Sequence, residues 1–210
     1  MTLPMHSRSR FSPQYTPIGA LLAISLLVLP LVLSVGAGFA DNRGEAVSPL
    51  LSEVATEYDY LGVDGCKLCH RSEAKGNQHG KWQEGPHSKA HETLAGEKAK
   101  EHGQDQGISE PQNAEACLVC HVTAFSAPAE RKARTYKIED GVGCESCHGP
   151  GSAYKLIPIM RDREKSIANG LLIPDEATCV RCHNDKSPTF KSFNYEEMFE
   201  KIAHPNPQKN

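Results

Sequence analysis

The sequence predicts a mainly α-helical chain with much irregular structure and a thin core of side chains. Hydrophobic residues make up 39% of the 210 residues and aromatic residues only 6%, whereas glycine and proline are frequent, at 17 and 14. No convincing run of alternating apolar and polar residues predicts a strand or a hairpin. A chain of this composition needs something other than side chains to fill its interior. It has no basic patch or stripe, so nothing indicates nucleic-acid binding.

The first 40 residues have the order of a secretory signal. Two arginines precede an apolar run from residue 18 to residue 33, and the small residues Gly38 and Ala40 end the segment. A signal peptide has this order of charged, apolar and small residues. An uncleaved N-terminal membrane anchor is the alternative, because residues 18–40 are just long enough to span a bilayer. Both interpretations place the rest of the chain outside the cytoplasm, in the periplasm or otherwise exported.

The remaining chain divides into a leader and one domain. Residues 41–62 are acidic and weakly patterned, which predicts a flexible leader, and residues 63–210 form the predicted domain. Without the first 40 residues the chain has 21 basic and 26 acidic residues, a net charge of −5. The domain is therefore mildly acidic before any cofactor is counted.

Eight cysteines carry the chemistry of this domain. They form four Cys-x-x-Cys pairs, each followed directly by histidine, and no cysteine is left over. The motifs begin 51, 27 and 35 residues apart, so they are not a regular structural repeat. The predicted cofactor-binding cysteines are Cys66, Cys69, Cys117, Cys120, Cys144, Cys147, Cys179 and Cys182, and the predicted metal-binding histidines beside them are His70, His121, His148 and His183.

Cys-x-x-Cys-His is the attachment motif of c-type haem. The two thiols add across the vinyl groups at one porphyrin edge, which places the histidine as proximal ligand of the iron. Cys-x-x-Cys pairs also form zinc sites or redox dithiols, but neither needs a histidine after each second cysteine. We therefore predict four haem c groups, each with its iron. These haems would replace the missing core in a compact multihaem cytochrome c fold.

Three helices are predicted from start and stop signals. Pro86 suits the first turn of a helix that stops at Gly103. Asp175 is a candidate N-cap for the short helix that carries the fourth motif. Asn194 is a candidate N-cap for an amphipathic helix that ends near His204.

Each iron has a second axial position, which a histidine or methionine outside the motifs can fill. Ligation is favoured for His87, because it begins a helix near the first motif. His79 lies in a glycine-rich stretch and is expected at the surface. His204 is either a residue of the tail or a ligand that the last helix presents. The candidates are His79, His87, His91, His102, His204, Met160 and Met198.

Three stretches around the first three motifs occur in a distinctive order. They run from Pro86 to Leu94, from Cys117 to Phe125, and from Gly141 to Gly151, the last reading Gly-Val-Gly-Cys-Glu-Ser-Cys-His-Gly-Pro-Gly. In this order they resemble the tetrahaem cytochrome c family of the hydroxylamine oxidoreductase electron acceptor, a multihaem c-type cytochrome of ammonia-oxidising bacteria. The resemblance extends over residues 64–204, with the third stretch as its most specific part.

The resemblance implies three bis-histidine haems and one five-coordinate haem. It implies that His87 ligates the fourth-motif haem and that His204 ligates the third-motif haem. The second-motif haem, held by His121, would be the open one. The family is also lysine-rich, whereas this chain is acidic.

The first haem is where the chain departs from this pattern. The family has a histidine shortly after the Gly-Pro-Gly segment that ligates the first haem, but residues 152–170 contain no histidine. Met160 lies close to the expected place, and His91 or His102 could substitute. The remaining alternative is that the first haem has no sixth ligand.

Four covalently held haems in so short a chain predict an electron-transfer protein rather than an enzyme, because no substrate-binding domain remains. The expected partners are a multihaem oxidoreductase on one side and another cytochrome or the quinone pool on the other. The alternative is a small reductase of nitric oxide, or of a related nitrogen or sulfur species, acting at a five-coordinate haem. No dedicated catalytic constellation is visible, although Glu139 or Asp140 could lie beside an iron.

Overall fold

The computed structural model describes residues 58–204 and 206–207. In this part of the chain the structure is mainly helical and has no strands, as predicted; Tyr60 and Lys132 form an isolated parallel bridge. The helices are short and are joined by turns and 3₁₀ segments. They are α1 (Val63–His70), α2 (Gln78–Glu84), α3 (Ala90–Thr93), α4 (Glu97–Asp105), α5 (Glu115–His121), α6 (Cys144–His148), α7 (Ile157–Met160), α8 (Arg163–Ala168), α9 (Glu176–Val180) and α10 (Tyr195–Ile202). The 3₁₀ segments are Glu73–Lys75, Pro86–Lys89, Pro111–Asn113, Ala129–Arg131 and Ile138–Asp140.

The side-chain core is as thin as the composition predicts. One cluster consists of Leu94, Leu118 and Val122, with Phe125 and Tyr136 among the partly buried residues packed against it. Several large apolar side chains remain exposed instead of joining it. The buried hydrophobic residues of the described ranges are Leu61, Val63, Leu94, Leu118, Val122 and Tyr154.

The first described residues pack against the domain. The Tyr60 N–H donates to Arg131 O at 2.8 Å, and the Ala133 N–H donates to Tyr60 O at 2.8 Å. Leu61 is buried. The predicted leader of residues 41–62 therefore overlaps the packed part of the chain at residues 58–62. Residues 41–57 and the predicted signal or anchor of residues 1–40 lie outside the described residues. Among the helices of the described ranges, none is long and apolar enough to cross a bilayer.

The prediction of one continuous helix from Pro86 to Gly103 is wrong. The chain instead forms a 3₁₀ turn, then α3, and then α4 after an extended residue, Gly96. The break allows Leu94 to turn into the core, where its exposed fraction is 5%. Gly103 lies inside α4 rather than ending it. Glycine is needed at this position because a Cβ would approach the carbonyl oxygen of Ile108 to 2.6 Å.

The two predicted N-caps are confirmed. The Asp175 side chain accepts a hydrogen bond from the Thr178 N–H at 3.0 Å, and the Thr178 hydroxyl completes a capping box. The Asn194 side chain accepts from the Glu197 N–H at 3.0 Å. These caps fix where the fourth motif and the last helix begin.

Candidate haem-attachment sites

Each motif lies on or directly after a short helix. The first motif ends α1, the second ends α5, and the third forms α6. The fourth begins on α9 and finishes in the following turn. None of the eight cysteines forms a disulfide. Every thiol is therefore available for attachment to a cofactor.

Sulfur atoms of different motifs approach one another. The neighbouring Cys144 raises the pKa of Cys66, so the first motif lies beside the third. Burial and the neighbouring Cys120 raise the pKa of Cys182 to about 11. The fourth motif therefore lies beside the second.

The third and fourth motifs are also neighbours. Cys179 lies close enough to Cys147 to act on its charge, and the Arg181 side chain donates to Ser146 O at 2.6 Å. The attachment sites therefore adjoin one another in the order first, third, fourth, second.

The structure brings two motif histidines together with histidines from elsewhere in the chain. The ring centroids of His87 and His183 lie 6.0 Å apart at an interplanar angle of 62°. Those of His148 and His204 also lie 6.0 Å apart, at 48°. A metal–imidazole nitrogen bond is about 2.0 Å and the ring centre lies about 1 Å behind the nitrogen, so two rings on one ion have centroids about 6 Å apart. Both separations fit one iron between the rings.

Main-chain carbonyls orient two of the motif imidazoles. Nδ1 of His148 lies 3.2 Å from Leu172 O, and Nδ1 of His121 lies 2.8 Å from Ala90 O. A carbonyl oxygen only accepts, so Nδ1 is the donor and Nε2 is left for a metal. Burial lowers the pKa of His148, as it does for His87. The neutral form of each ring, which a metal needs, is therefore favoured.

The other two motif histidines have no such ring partner. Among the described residues, which include every histidine after residue 57, no histidine ring contacts His70 or His121. Of the predicted substitutes for the first haem, Met160 is half-buried at the end of α7 and His102 lies on α4. His91 lies on α3, next to the residue whose carbonyl holds the second-motif histidine.

His79 differs from its predicted place at the surface. It lies on α2, half-buried, with its ring centroid 5.6 Å from that of Trp82. Burial, followed by the charge of Lys67, lowers the pKa of His79. The glycine-rich sequence around it did not reveal this packing.

The residues present fit covalent haem. Apolar side chains between the two cysteines of the first, second and fourth motifs are left uncovered by protein: Leu68 is 76% exposed, Val119 45% and Val180 39%. Apolar surface of this kind next to paired thiols is what the face of a porphyrin would cover. Together with the thin core and the imidazole donors, it matches the chemistry that haem c requires.

The predicted acidic pair binds elsewhere than to the motif histidines. Asp140 is half-buried and accepts from the Val63 N–H at 3.3 Å, at the start of α1, and burial raises the pKa of Asp140. Glu139 is exposed. Both line a cavity of ≈ 250 Å³ together with His79 and Trp82. In the described part of the chain neither acid forms a hydrogen bond with a motif histidine.

Two side chains at the sites were missed by the sequence interpretation. Phe193 stacks on His183, with ring centroids 4.9 Å apart at 20°. Glu145 is buried inside the third motif and binds main-chain N–H groups. The only signal in the sequence is a lone acidic residue between two cysteines in a glycine-rich segment.

Comparisons with known proteins bear on these sites. The family described as cytochrome c554 and c-prime matches residues 65–149, which hold the first three motifs but not the fourth. The chain is 30% identical over 106 residues to cytochrome c-554 of Nitrosomonas europaea. That match covers 49% of this chain and 43% of the relative, so the chain spans less than half the length of this relative. No solved structure matches the chain.

The two matches support a multihaem c-type cytochrome family. They support haem c attached through cysteine, with its iron, and a role in haem-based electron transfer. The family match ends at residue 149, so the fourth motif and α10 stand on their own sequence and structure.

Proposed function

We propose that this chain is an exported electron-transfer protein that relays electrons through four covalently bound c-type haems. The observation that carries the proposal is the set of four complete Cys-x-x-Cys-His motifs, two of which have a second histidine ring 6.0 Å away. The expected donor is a multihaem oxidoreductase of the hydroxylamine oxidoreductase kind, and the expected acceptor is another cytochrome or the quinone pool.

The ligands of two irons follow from the paired rings, and those proposed for the other two follow from the family resemblance. His148 and His204 would hold the third iron, and His183 and His87 the fourth. His121 would hold the second iron with its other axial position open. The sixth ligand of the first iron would be Met160, His91 or His102, or that position too is open. Bis-histidine ligation gives low reduction potentials, and methionine raises them.

The bound haems would supply one-electron Fe(III)/Fe(II) chemistry. The residues of the chain fix where that chemistry takes place. Main-chain carbonyls hold the Nδ1 atoms of His148 and His121, which sets the planes of these rings. Phe193 stacks on one face of His183 and restricts its rotation. The hydrogen bond from Arg181 to Ser146 O keeps the third and fourth attachment sites adjacent, which a relay needs.

Charge is expected to select the partner. The chain after residue 40 has a net charge of −5. A partner surface with basic residues would increase the rate of encounter more than the affinity, and the effect would fall with salt. An association rate that does not depend on ionic strength would contradict this part of the proposal.

The proposal is tested by counting the haems and their spin states. The intact mass and the pyridine haemochrome absorbance of the holoprotein should give four haems per chain. Electron paramagnetic resonance of the oxidised protein should show at least two low-spin centres and at least one high-spin centre. Fewer than four haems would overturn the relay, and four low-spin centres would remove the open site.

The reductase alternative depends on an open iron beside His121. A paired set of variants locates it: Cys117→Ala with Cys120→Ala removes the second attachment site, and Cys179→Ala with Cys182→Ala removes the fourth. The first pair should lower by one the number of haems per chain that bind carbon monoxide fast in the reduced protein, and the second should leave that number unchanged. Catalytic turnover of nitric oxide by the unmodified protein would favour the reductase over the carrier.

The cellular location of the protein is tested by determining its N-terminal residue and the cell fraction that contains it. Cleavage of a signal would give a mature protein that begins near Asp41 in the periplasmic fraction. Retention of residues 18–40 in a membrane fraction would show that the segment is an anchor. A cytoplasmic location of the haem-loaded chain would contradict both.

A further inference from the structure

Glu145 is a buried carboxylate inside the third motif. Its exposed fraction is 4%. Oε1 accepts hydrogen bonds from the N–H groups of Leu61 at 2.9 Å and Gly151 at 2.7 Å. Oε2 accepts from Gly62 at 2.8 Å and from Leu61 at 3.0 Å. One side chain therefore joins α6 to the segment before α1, more than 80 residues away in sequence, and to the loop after the third motif.

The hydrogen bonds of Glu145 fit its ionised form. All four contacts come from donors, whereas a protonated carboxyl would need an acceptor for its own hydrogen. Burial raises the pKa of Glu145, and the three N–H groups oppose that rise. Among the described residues no lysine or arginine forms an ion pair with it. The charge of Lys155 also opposes the rise in the pKa of Glu145, but less than the N–H groups do.

The carboxylate binds the N–H groups of the two residues that precede α1, Leu61 and Gly62. The residue at the N-cap position is Gly62, which has no side chain to offer. Glycine is required there, because φ is 74° and a Cβ would approach the Cα of Tyr136 to 2.7 Å. A negative charge near a helix N-terminus is also favoured by the helix dipole. The start of the first motif's helix is therefore fixed by a residue of the third motif.

The same two helices carry cysteines of two attachment sites. Cys66 on α1 lies close enough to Cys144, the residue next to Glu145 in sequence, to raise the pKa of Cys66. The hydrogen bonds of Glu145 thus act on the two helices at the point where their attachment sites adjoin. A fixed negative charge beside an iron stabilises its more positive, oxidised state.

We propose that Glu145 is a positioning residue that holds the first attachment site against the third and that its fixed charge lowers the reduction potentials of the haems bound there. The proposal rests on the function proposed above. It assigns this buried carboxylate a role in setting potentials in addition to a role in folding.

The test uses three variants of the haem-loaded, full-length protein. Glu145→Gln removes the charge and turns an amide NH₂ towards main-chain donors. Glu145→Asp keeps the charge on a side chain that is one methylene shorter. Glu176→Gln is the matched control, because it removes an exposed carboxylate from the first residue of another motif helix, α9. Each variant is checked for its haem count and titrated potentiometrically with optical detection.

We expect Glu145→Gln to shift the one-electron reduction equilibria of two of the four haems at least tenfold towards the reduced state, which corresponds to about 59 mV. Glu176→Gln should titrate like the unmodified protein, and Glu145→Asp should lie closer to it than Glu145→Gln does. A Glu145→Gln variant with four haems and unchanged potentials would overturn the inference. Unmodified protein without haem absorbance would instead overturn the proposed function.

If Glu145→Gln loses haem, Glu145→Asp becomes the variant that tests the proposal. A Glu145→Asp protein with four haems and reduction potentials close to those of the unmodified protein would support the role of the charge. A Glu145→Asp protein with four haems whose reduction equilibria shift tenfold towards the reduced state would refute that role. Loss of haem from this variant too would reduce Glu145 to a folding role and overturn the proposal.

Discussion

Substitution Asn194→Ala tests whether a helix cap controls an iron ligand. Asn194 accepts a hydrogen bond from the Glu197 N–H at 3.0 Å at the start of α10, and His204 follows two residues after that helix ends. The helix has only 8 residues and buries none of them fully. Isolated helices shorter than about 12–15 residues are marginal in water, so the cap is a large share of what holds this one.

The magnitude follows from the cap. Loss of an N-cap side chain costs about 1 kcal/mol. A cost of this size increases the population of the open helix about fivefold. If His204 is the sixth ligand of the third iron, the fraction of protein with that position open rises by the same factor. Binding of carbon monoxide to the reduced third haem should then become about fivefold faster in stopped-flow mixing.

Two further variants make this prediction decisive. Asn169→Ala is the control, because the Asn169 side chain donates to Lys165 O at 2.8 Å on a different helix, α8. It should leave the slow phase of carbon monoxide binding unchanged. His204→Ala gives the upper limit, with the slow phase absent and a fast phase in its place. An unchanged rate in Asn194→Ala, or an equal increase in Asn169→Ala, would refute the link between the cap and the ligand.

Three other predictions follow from the described residues. His87→Ala should add one high-spin centre to the electron paramagnetic resonance spectrum; a spectrum like that of the unmodified protein would remove this residue from the fourth iron. Leu94→Ala should lower the free energy of unfolding by roughly 2–5 kcal/mol, because Leu94 is buried. The control Lys98→Ala changes an exposed residue and should alter that free energy by less than about 0.5 kcal/mol. Denaturant titrations followed by circular dichroism measure both values, and equal costs would contradict the buried place of Leu94. Hydrogen bonds from Thr178 lower the pKa of Asp175. Its contribution to α9 is therefore present above the unfolded pKa of about 3.9 and is lost as the pH falls through the lower folded value. Asp175→Asn should flatten the loss of helicity as the pH falls below about 4, and an unchanged profile would show that the cap does not titrate.

Local sequence signals predicted the parts of the fold that depend on neighbours in the chain. Asp175 and Asn194 both cap the helices that they were expected to start, because an N-cap needs only a donor three residues later. The helix from Pro86 failed because Leu94 has a place in a core that local periodicity cannot show. Gly103 was wrongly predicted to end a helix. Glycine is required there by the close approach of Ile108 O, a contact that the local sequence does not show.

By itself the sequence predicted the attachment chemistry, because thioether formation and proximal ligation need only residues that are adjacent in the chain. The number of motifs, their cysteines and the histidine beside each can be read without coordinates. The tertiary structure decided which attachment sites adjoin and which distant histidine faces which motif, as for His204 opposite His148. It also decided that Glu145 holds α1 from 83 residues away. Such relations depend on where the chain returns in space, and the spacing of residues along a sequence does not contain that information.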